Sequence, residues 1–227
     1  MSIGLYIHLP FCVKKCPYCG FYSIAKAKDD IIAQYLQALL LELRSFDYPE
    51  LSLRATQVDS IYIGGGTPSY LGMRLPSFIE AMLPLIRYNS GAEFTVEMNP
   101  ESVSAELCRA LAELPISRIS MGVQSLDNDT LRLLGRAHSA EQARQAYELL
   151  RCFTKAAINL DLIYDIPQIP HTNMASSLQE LIKLAPEHIS AYSYSPDTGY
   201  LATEPSHDPY QMEMVTDTLQ AAGYIRY

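Results

Sequence analysis

The chain has 227 residues, 48% of them hydrophobic, enough to bury one large core or two small ones. Its 17 Lys and Arg against 25 Asp and Glu leave a formal charge of −8, which excludes a broad phosphate-binding surface and makes nucleic acid a poor main partner. Five cysteines, three of them crowded at one end, are not the even, dispersed set of a secreted disulfide scaffold and point to a reducing compartment, the cytoplasm.

The N-terminus has no basic region ahead of a long apolar stretch, so neither a signal peptide nor a membrane span is expected. The first β-rich segment, SIGLYIHLP, runs into FCVKKCPYCGFYS, in which Cys12, Cys16 and Cys19 fall within eight residues. A helix follows, with Ile31, Ile32, Tyr35, Leu36, Leu39, Leu40 and Leu43 spaced along one face. The second strand, VDSIYIGGG, ends in Gly64, Gly65 and Gly66, and a helix from Pro76 to Ile86 comes next. Strand EFTVEMNP precedes a helix from Ser104 to Glu113; strand SRISMGVQS precedes helices from Thr130 to Leu134 and from Ala140 to Arg151. Ser139 and Gln142 form a capping box for the last of these. Strand AINLDLIYDIP, a helix from Ala175 to Leu184 and strand EHISAYSYS complete the alternation. A looser stretch, SPDTGYLATEPSHDP, leads to a helix from Pro209 to Ala222 that stops at Gly223.

Strands alternating with helices must be parallel, because tight hairpins cannot join a parallel pair. Six strands are two short of a closed eight-fold barrel, so the predicted fold is an α/β open, partial barrel. The expected organisation is a core over residues 1–195, then a connector and final helix over 196–227. The β-like ending YIRY, with no element after it, suggests the start of a further C-terminal domain.

The spacing Cys-x3-Cys-x2-Cys supplies three thiols where a structural zinc site wants four ligands. No second CxxC or HxxxH occurs, and Cys108 and Cys152 fall in helical patterns that read as buried structural thiols. His8 is a possible fourth zinc ligand, although its strand is expected to orient it independently of the loop. The other reading is a [4Fe-4S] cluster on three thiolates, with one iron left open to a ligand. Lys14 and Lys15 read as solvated loop charges. Further on, the triple glycine permits close backbone approach, yet no Gly-Lys-Ser/Thr follows to make a P-loop. Alternation turns Glu97 toward the barrel mouth, where parallel barrels collect their chemistry. Asp161 interrupts an apolar run and calls for a cation or donors; Arg136, in LLGRAH, is the candidate partner, in a functional or a purely structural ion pair.

The three-cysteine spacing, followed two residues later by the aromatic Phe21, resembles the signature of the radical S-adenosylmethionine (SAM) family. The stretches YIHLPFC, CPYC, GGGTPS, GVQS, LGR.H and NLDLIYDIP, between Tyr6 and about Tyr194, resemble a narrower group, the oxygen-independent coproporphyrinogen III oxidases and the heme chaperones of the HemW type. The resemblance implies a radical SAM (β/α)6 partial TIM barrel. It implies Cys12, Cys16 and Cys19 as ligands of a [4Fe-4S] cluster, and Gly65, Gly66 and Thr67 as holders of the methionine end of SAM. Glu97 and Gln124 match SAM contacts, Arg136 and Asp161 positions near its ribose and carboxylate, Tyr6 and Tyr18 positions that touch the ligand, and Ser195 one near the adenine. It further implies a reductant protein of flavodoxin or ferredoxin type, heme or a porphyrin as cargo or substrate, and a heme-acceptor protein. The sequence departs from the group in three places. The oxidases carry a segment before the first strand and a further cysteine where this chain has Phe21, which favours the chaperone. DIPQIPHTN replaces Gly-Leu-Pro-Gly-Gln-Thr, with Asp165 in place of a glycine, and the relatives' C-terminal domain with its His-rich motif does not follow. A zinc-stabilised binding module is the remaining alternative.

Overall fold

A computed structural model describes residues 2–48, 51–52, 56–195, 201 and 209–227. Six principal strands, β1 (Ser2–Leu9), β2 (Gln57–Gly65), β3 (Tyr88–Met98), β4 (Arg118–Gln124), β5 (Ala157–Tyr164) and β6 (His188–Ser193), form one sheet in sequence order. Every neighbouring pair is parallel. Among the described residues β1 and β6 do not pair, so the sheet stays open as the expected partial barrel. The crossovers are α1 (Asp29–Ser45), α2 (Arg74–Met82), α3 (Ala105–Ala112), α4 (Asn128–Leu133), α5 (Ala140–Phe153) and α6 (His171–Leu184), while α7 (Pro209–Ala221) follows β6.

The two-residue period of the strands gives the sheet two faces. Ile7, Leu9, Ile61, Ile63, Phe94, Val96, Ile119, Met121, Ile158, Leu160 and Leu162 point to the helices and are buried. Against them pack Leu36 and Leu43 of α1, Phe78 and Ile79 of α2, Leu107 and Leu111 of α3, Tyr147 and Leu150 of α5, and Leu178 and Leu181 of α6. Each fully buried large apolar side chain contributes about 1.5–3 kcal/mol, so this layer carries the fold. The alternate residues form a polar concave face, where Asn159 donates to Ser120 and Asp161, and Ser190 donates to Asn159.

Several boundaries differ from the sequence pattern for local reasons. The second helix stops at Met82 and a 3-10 turn (Leu83–Leu85) takes over, because Pro84 has no N–H for the α-helical ladder. β3 begins at Tyr88, five residues before the expected Glu93, in register with Val58. α6 begins at His171, directly after Pro170, where polar Thr172 and Asn173 conceal the first turn from a hydrophobic-period search. The Ser139–Gln142 capping box is present: Ser139 Oγ accepts from the Gln142 amide at 3.3 Å and Gln142 Oε1 from the Ser139 amide at 2.8 Å. Cys108 is buried on α3 as expected, but Cys152 is exposed, because it lies on the solvent side of α5. The expected connector lies mostly outside the described residues. No helix among those described is long and apolar enough to cross a membrane.

Candidate functional site

The cysteine loop leaves the C-terminal end of β1 and is pinned at both ends. Phe11 is fully buried, and the short strands Phe11–Cys12 and Ile24–Ala25 pair side by side, with the Ile24 amide donating to Pro10 O at 2.6 Å and the Lys26 amide to Cys12 O at 3.0 Å. A turn between them, closed by the Cys19 amide on Cys16 O at 3.1 Å, brings those two residues together. Cys12, Cys16 and Cys19 are all free and half-buried.

The end of β2 is fitted against this loop. The Gly66 amide donates to Leu9 O and the Thr67 amide to Phe11 O. A Cβ on Gly66 would lie 2.8 Å from Phe11 O and 2.9 Å from Cys12 Sγ, so only glycine permits the approach. Gly65 has φ +118°, and a Cβ there would strike the His8 ring. Gly66 is thus required by contact with the cysteine loop and Gly65 by its φ and by the His8 ring, which goes beyond a plain turn.

A chain of hydrogen bonds then joins the loop to three strand ends. Thr67 Oγ1 donates to Cys12 Sγ at 3.5 Å and accepts from Asn99 Nδ2 at 2.8 Å. Asn99 Oδ1 accepts from Arg136 Nη2 at 2.8 Å, and the same nitrogen donates to Gly122 O at 2.7 Å. Arg136 Nη1 reaches Cys16 Sγ at 3.7 Å and the Tyr18 hydroxyl at 3.4 Å. Burial opposes the Arg136 charge, but Tyr18, Cys16 and Glu101 beside it hold the guanidinium above its usual range. Its Nε is buried without a partner among the described residues. Burial likewise pushes the Tyr18 phenol and the Cys12 thiol up.

A second group lies on the concave face. Glu97 accepts from the Tyr62 hydroxyl at 2.7 Å and the Gly65 amide at 3.0 Å; burial pushes its carboxyl up, and these two donors oppose the rise. Asp161 accepts only from Asn159 at 2.7 Å among the described residues, and burial, with the Glu97 charge adding to it, pushes its carboxyl up to about 7. The expected Arg136–Asp161 ion pair is absent: Arg136 spends its donors on Cys16, Tyr18, Asn99 and Gly122, and acts on Asp161 only at a distance, as does Arg118. Tyr6 exchanges a hydrogen bond with His8 Nδ1 at 3.0 Å, and His8 Nε2 contacts Tyr22 O at 3.0 Å. His8 therefore does reach the cysteine loop, at its backbone, contrary to the expected independence.

Gln124 ends β4 with φ +68°, and its side-chain nitrogen lies beside Gly122. Ser195 stands exposed, two residues past β6. Asp165 takes φ +61°, the left-handed value that favours glycine and that Asp tolerates. Its amide donates to Gln211 Oε1 of α7 at 3.0 Å, and its carboxylate accepts from Ser193 at 3.3 Å.

The structure thus gathers Cys12, Cys16, Tyr18, Gly66, Thr67 and Arg136 in one group and Tyr6, Gly65, Glu97 and Asp161 in a neighbouring one. Sequence reasoning missed Asn99, the link between Thr67 and Arg136, and Tyr62, the donor to Glu97. Asn99 follows a strand end in EMNP, where the rule that chemistry collects at strand ends could have found it.

These residues fit an iron–sulfur cluster better than a zinc ion. The loop supplies three free, half-buried thiols, one short of the four ligands that a structural zinc site takes. Three free thiols on one loop suit a polynuclear cluster with one iron left open, and the unpartnered Nε of Arg136, whose Nη1 reaches Cys16, suits an anionic ligand.

The profile of the Radical SAM superfamily matches residues 6–167, and the chain belongs to that superfamily, which uses a [4Fe-4S] cluster and SAM. Within it, the heme chaperone HemW of Haemophilus influenzae is 36% identical over 210 residues, which cover 89% of this chain and 54% of that one. The oxygen-independent coproporphyrinogen III oxidase of Paracoccus denitrificans is 32% identical over 197 residues, 86% of this chain and 43% of the oxidase. The structure of coproporphyrinogen III oxidase HemN from Escherichia coli superposes with a TM-score of 0.85 at 26% identity, over 98% of this chain and 53% of HemN. The chain therefore spans about half the length of the curated relatives it matches.

Proposed function

We propose that the chain is the cluster- and SAM-binding core of a HemW-type heme chaperone. Cys12, Cys16 and Cys19 hold the [4Fe-4S] cluster and leave one iron open for the amino and carboxylate groups of SAM. When reduced, such a cluster supplies one electron to split the sulfur–carbon bond of SAM. The residues of the chain bind and orient. Gly65, Gly66 and Thr67 present backbone to the methionine end, and the free Nε of Arg136 offers a donor to a carboxylate. Glu97 and Asp161 offer acceptors to the ammonium and ribose, Gln124 both a donor and an acceptor, Tyr6 and Tyr18 flank the ligand, and Ser195 lies on the adenine side. The observation that carries the reading is the hydrogen-bonded chain from Cys12 through Thr67, Asn99 and Arg136 to Cys16, which ties two of the three free thiols to the strand ends.

Heme or a porphyrin is the cargo, a heme-acceptor protein receives it, and a reducing compartment, the cytoplasm, keeps the thiols available. Residues 1–195 form the core, and 196–227 are a connector and a final helix. The second reading, oxygen-independent coproporphyrinogen III oxidase, is supported by the close superposition on HemN. Phe21, where the resemblance expects the oxidases to carry a cysteine, favours the chaperone.

The test is anaerobic incubation of the reduced, cluster-loaded protein with SAM and either heme or coproporphyrinogen III. Saturable heme binding without protoporphyrinogen formation is expected; protoporphyrinogen would overturn the chaperone reading in favour of the oxidase.

A further inference from the structure

The charge of the chain is distributed unevenly in a way that the proposed cofactor site does not explain. The first 28 residues hold Lys14, Lys15, Lys26 and Lys28 and no acidic residue, which leaves 13 basic against 25 acidic residues in the rest. All four lysines are exposed, and all flank the cysteine loop. The loop's own closure brings its two halves together, because the Phe11–Cys12 and Ile24–Ala25 pairing sets Lys26 beside Cys12. Lys14 lies over Gly135, next to Arg136, on the rim of the cluster site. Between the lysine pairs stand Phe21 and Tyr22, both 69% exposed. The next acidic residues along the sequence are Asp29 and Asp30 at the start of α1, and Asp29 is engaged by Arg74 at 3.0 Å.

Four exposed lysines that flank the loop, a cationic collar in the sequence with two exposed aromatic side chains between them, have the composition of a protein interface, which combines aromatic anchors with charge. On a chain that is otherwise acidic, this local excess of positive charge is able to steer a partner of opposite sign. An anionic membrane or a nucleic acid would meet the large negative charge of the remaining chain over a wide area, whereas a small acidic protein need meet only the collar.

We propose that Lys14, Lys15, Lys26 and Lys28, with Phe21 and Tyr22, form the docking surface for an acidic one-electron carrier protein that reduces the cluster beneath. The assignment rests on the cluster reading given above. In the step it serves, the carrier loses one electron and the oxidised [4Fe-4S] cluster gains it, with no bond made or broken in this chain.

The experiment uses an acidic flavodoxin, reduced in advance, as the probe, and follows reduction of the cluster-loaded protein at low and at high salt. The wild-type rate is expected to fall steeply with salt. K14Q/K15Q/K26Q/K28Q is expected to lower the low-salt rate by roughly tenfold or more and to flatten the salt dependence, while K155Q/K183Q, at lysines remote from the loop in sequence, leaves it unchanged. Dithionite should reduce all three proteins equally, which separates lost docking from a damaged cluster. A wild-type rate in the fourfold variant overturns the proposal, as does adsorption of the wild type to phosphatidylserine vesicles in preference to flavodoxin. If no cluster assembles in the wild type, the cofactor reading has failed, and calorimetric titration of flavodoxin into the cluster-free proteins decides the docking separately. Salt-sensitive binding that the fourfold variant loses supports it, and no binding overturns it.

Discussion

On the helix side of the sheet Ile63, Val96, Ile119 and Leu160 are fully buried; one residue along the same strands, Tyr62, Glu97, Arg118 and Asp161 are turned to the concave side. A closed eight-fold barrel fills its interior with branched apolar side chains. This open sheet fills part of its interior with carboxyls, hydroxyls and amides, and burial raises both the Glu97 and the Asp161 carboxyl. The stability of the sheet therefore has to come from its outer layer, while the inner layer holds groups that are costly to bury and suited to a polar ligand.

Substitutions on the two sides should separate chemistry from stability. The largest effect is expected at the cysteine loop: Cys16→Ala should reduce bound iron and acid-labile sulfide after anaerobic reconstitution by on the order of tenfold or more, with the circular dichroism of the fold unchanged. Iron retained at the wild-type level would remove Cys16 from the ligand set. Next, Leu160→Ala on the outer face should cost about 2–5 kcal/mol in denaturant unfolding, against less than about 1 kcal/mol for Tyr192→Ala, which is 55% exposed. Equal costs would break the contrast between the faces.

A smaller effect concerns protons. In the protein without SAM, the Asp161 carboxyl titrates at about 7, against 3.8 for an unperturbed Asp. Between those values the folded state keeps a proton that the unfolded chain has lost. Stability should therefore fall as pH rises through this window, by at most about 1.4 kcal/mol per unit, and should stay low above it. Asp161→Asn should flatten that slope, as read from unfolding curves across the window, and parallel slopes in the two proteins would contradict the assignment. The smallest effect lies at the helix ends: Ser139→Ala should cost about 1 kcal/mol through loss of the α5 cap, without changing iron content.

The outer layer was legible in the sequence because it depends on local period. All six strands were found from apolar runs, and the helices from their spacing and, for α5, from its cap. The cysteine loop and the glycine run were legible too, since each is a short contiguous signal. What joins them was not. Arg136 and Cys16 are 120 residues apart, and no local pattern shows that the guanidinium turns to sulfur, Tyr18 and Asn99 and away from Asp161. Asn99 and Tyr62 act through side-chain hydrogen bonds to residues more than 30 positions away, which only the strand register brings together. The exposure of Cys152 depends on which side of α5 faces solvent, and the start of α6 at His171, ahead of the expected Ala175, was hidden by a polar first turn after Pro170.

The most direct test of the account is electron paramagnetic resonance of the anaerobically reconstituted and reduced protein, recorded with and without SAM. The account predicts the signal of a reduced [4Fe-4S] cluster that SAM perturbs, because one iron lacks a protein ligand. A cluster signal indifferent to SAM, or a protein that takes up zinc and no iron, would contradict it.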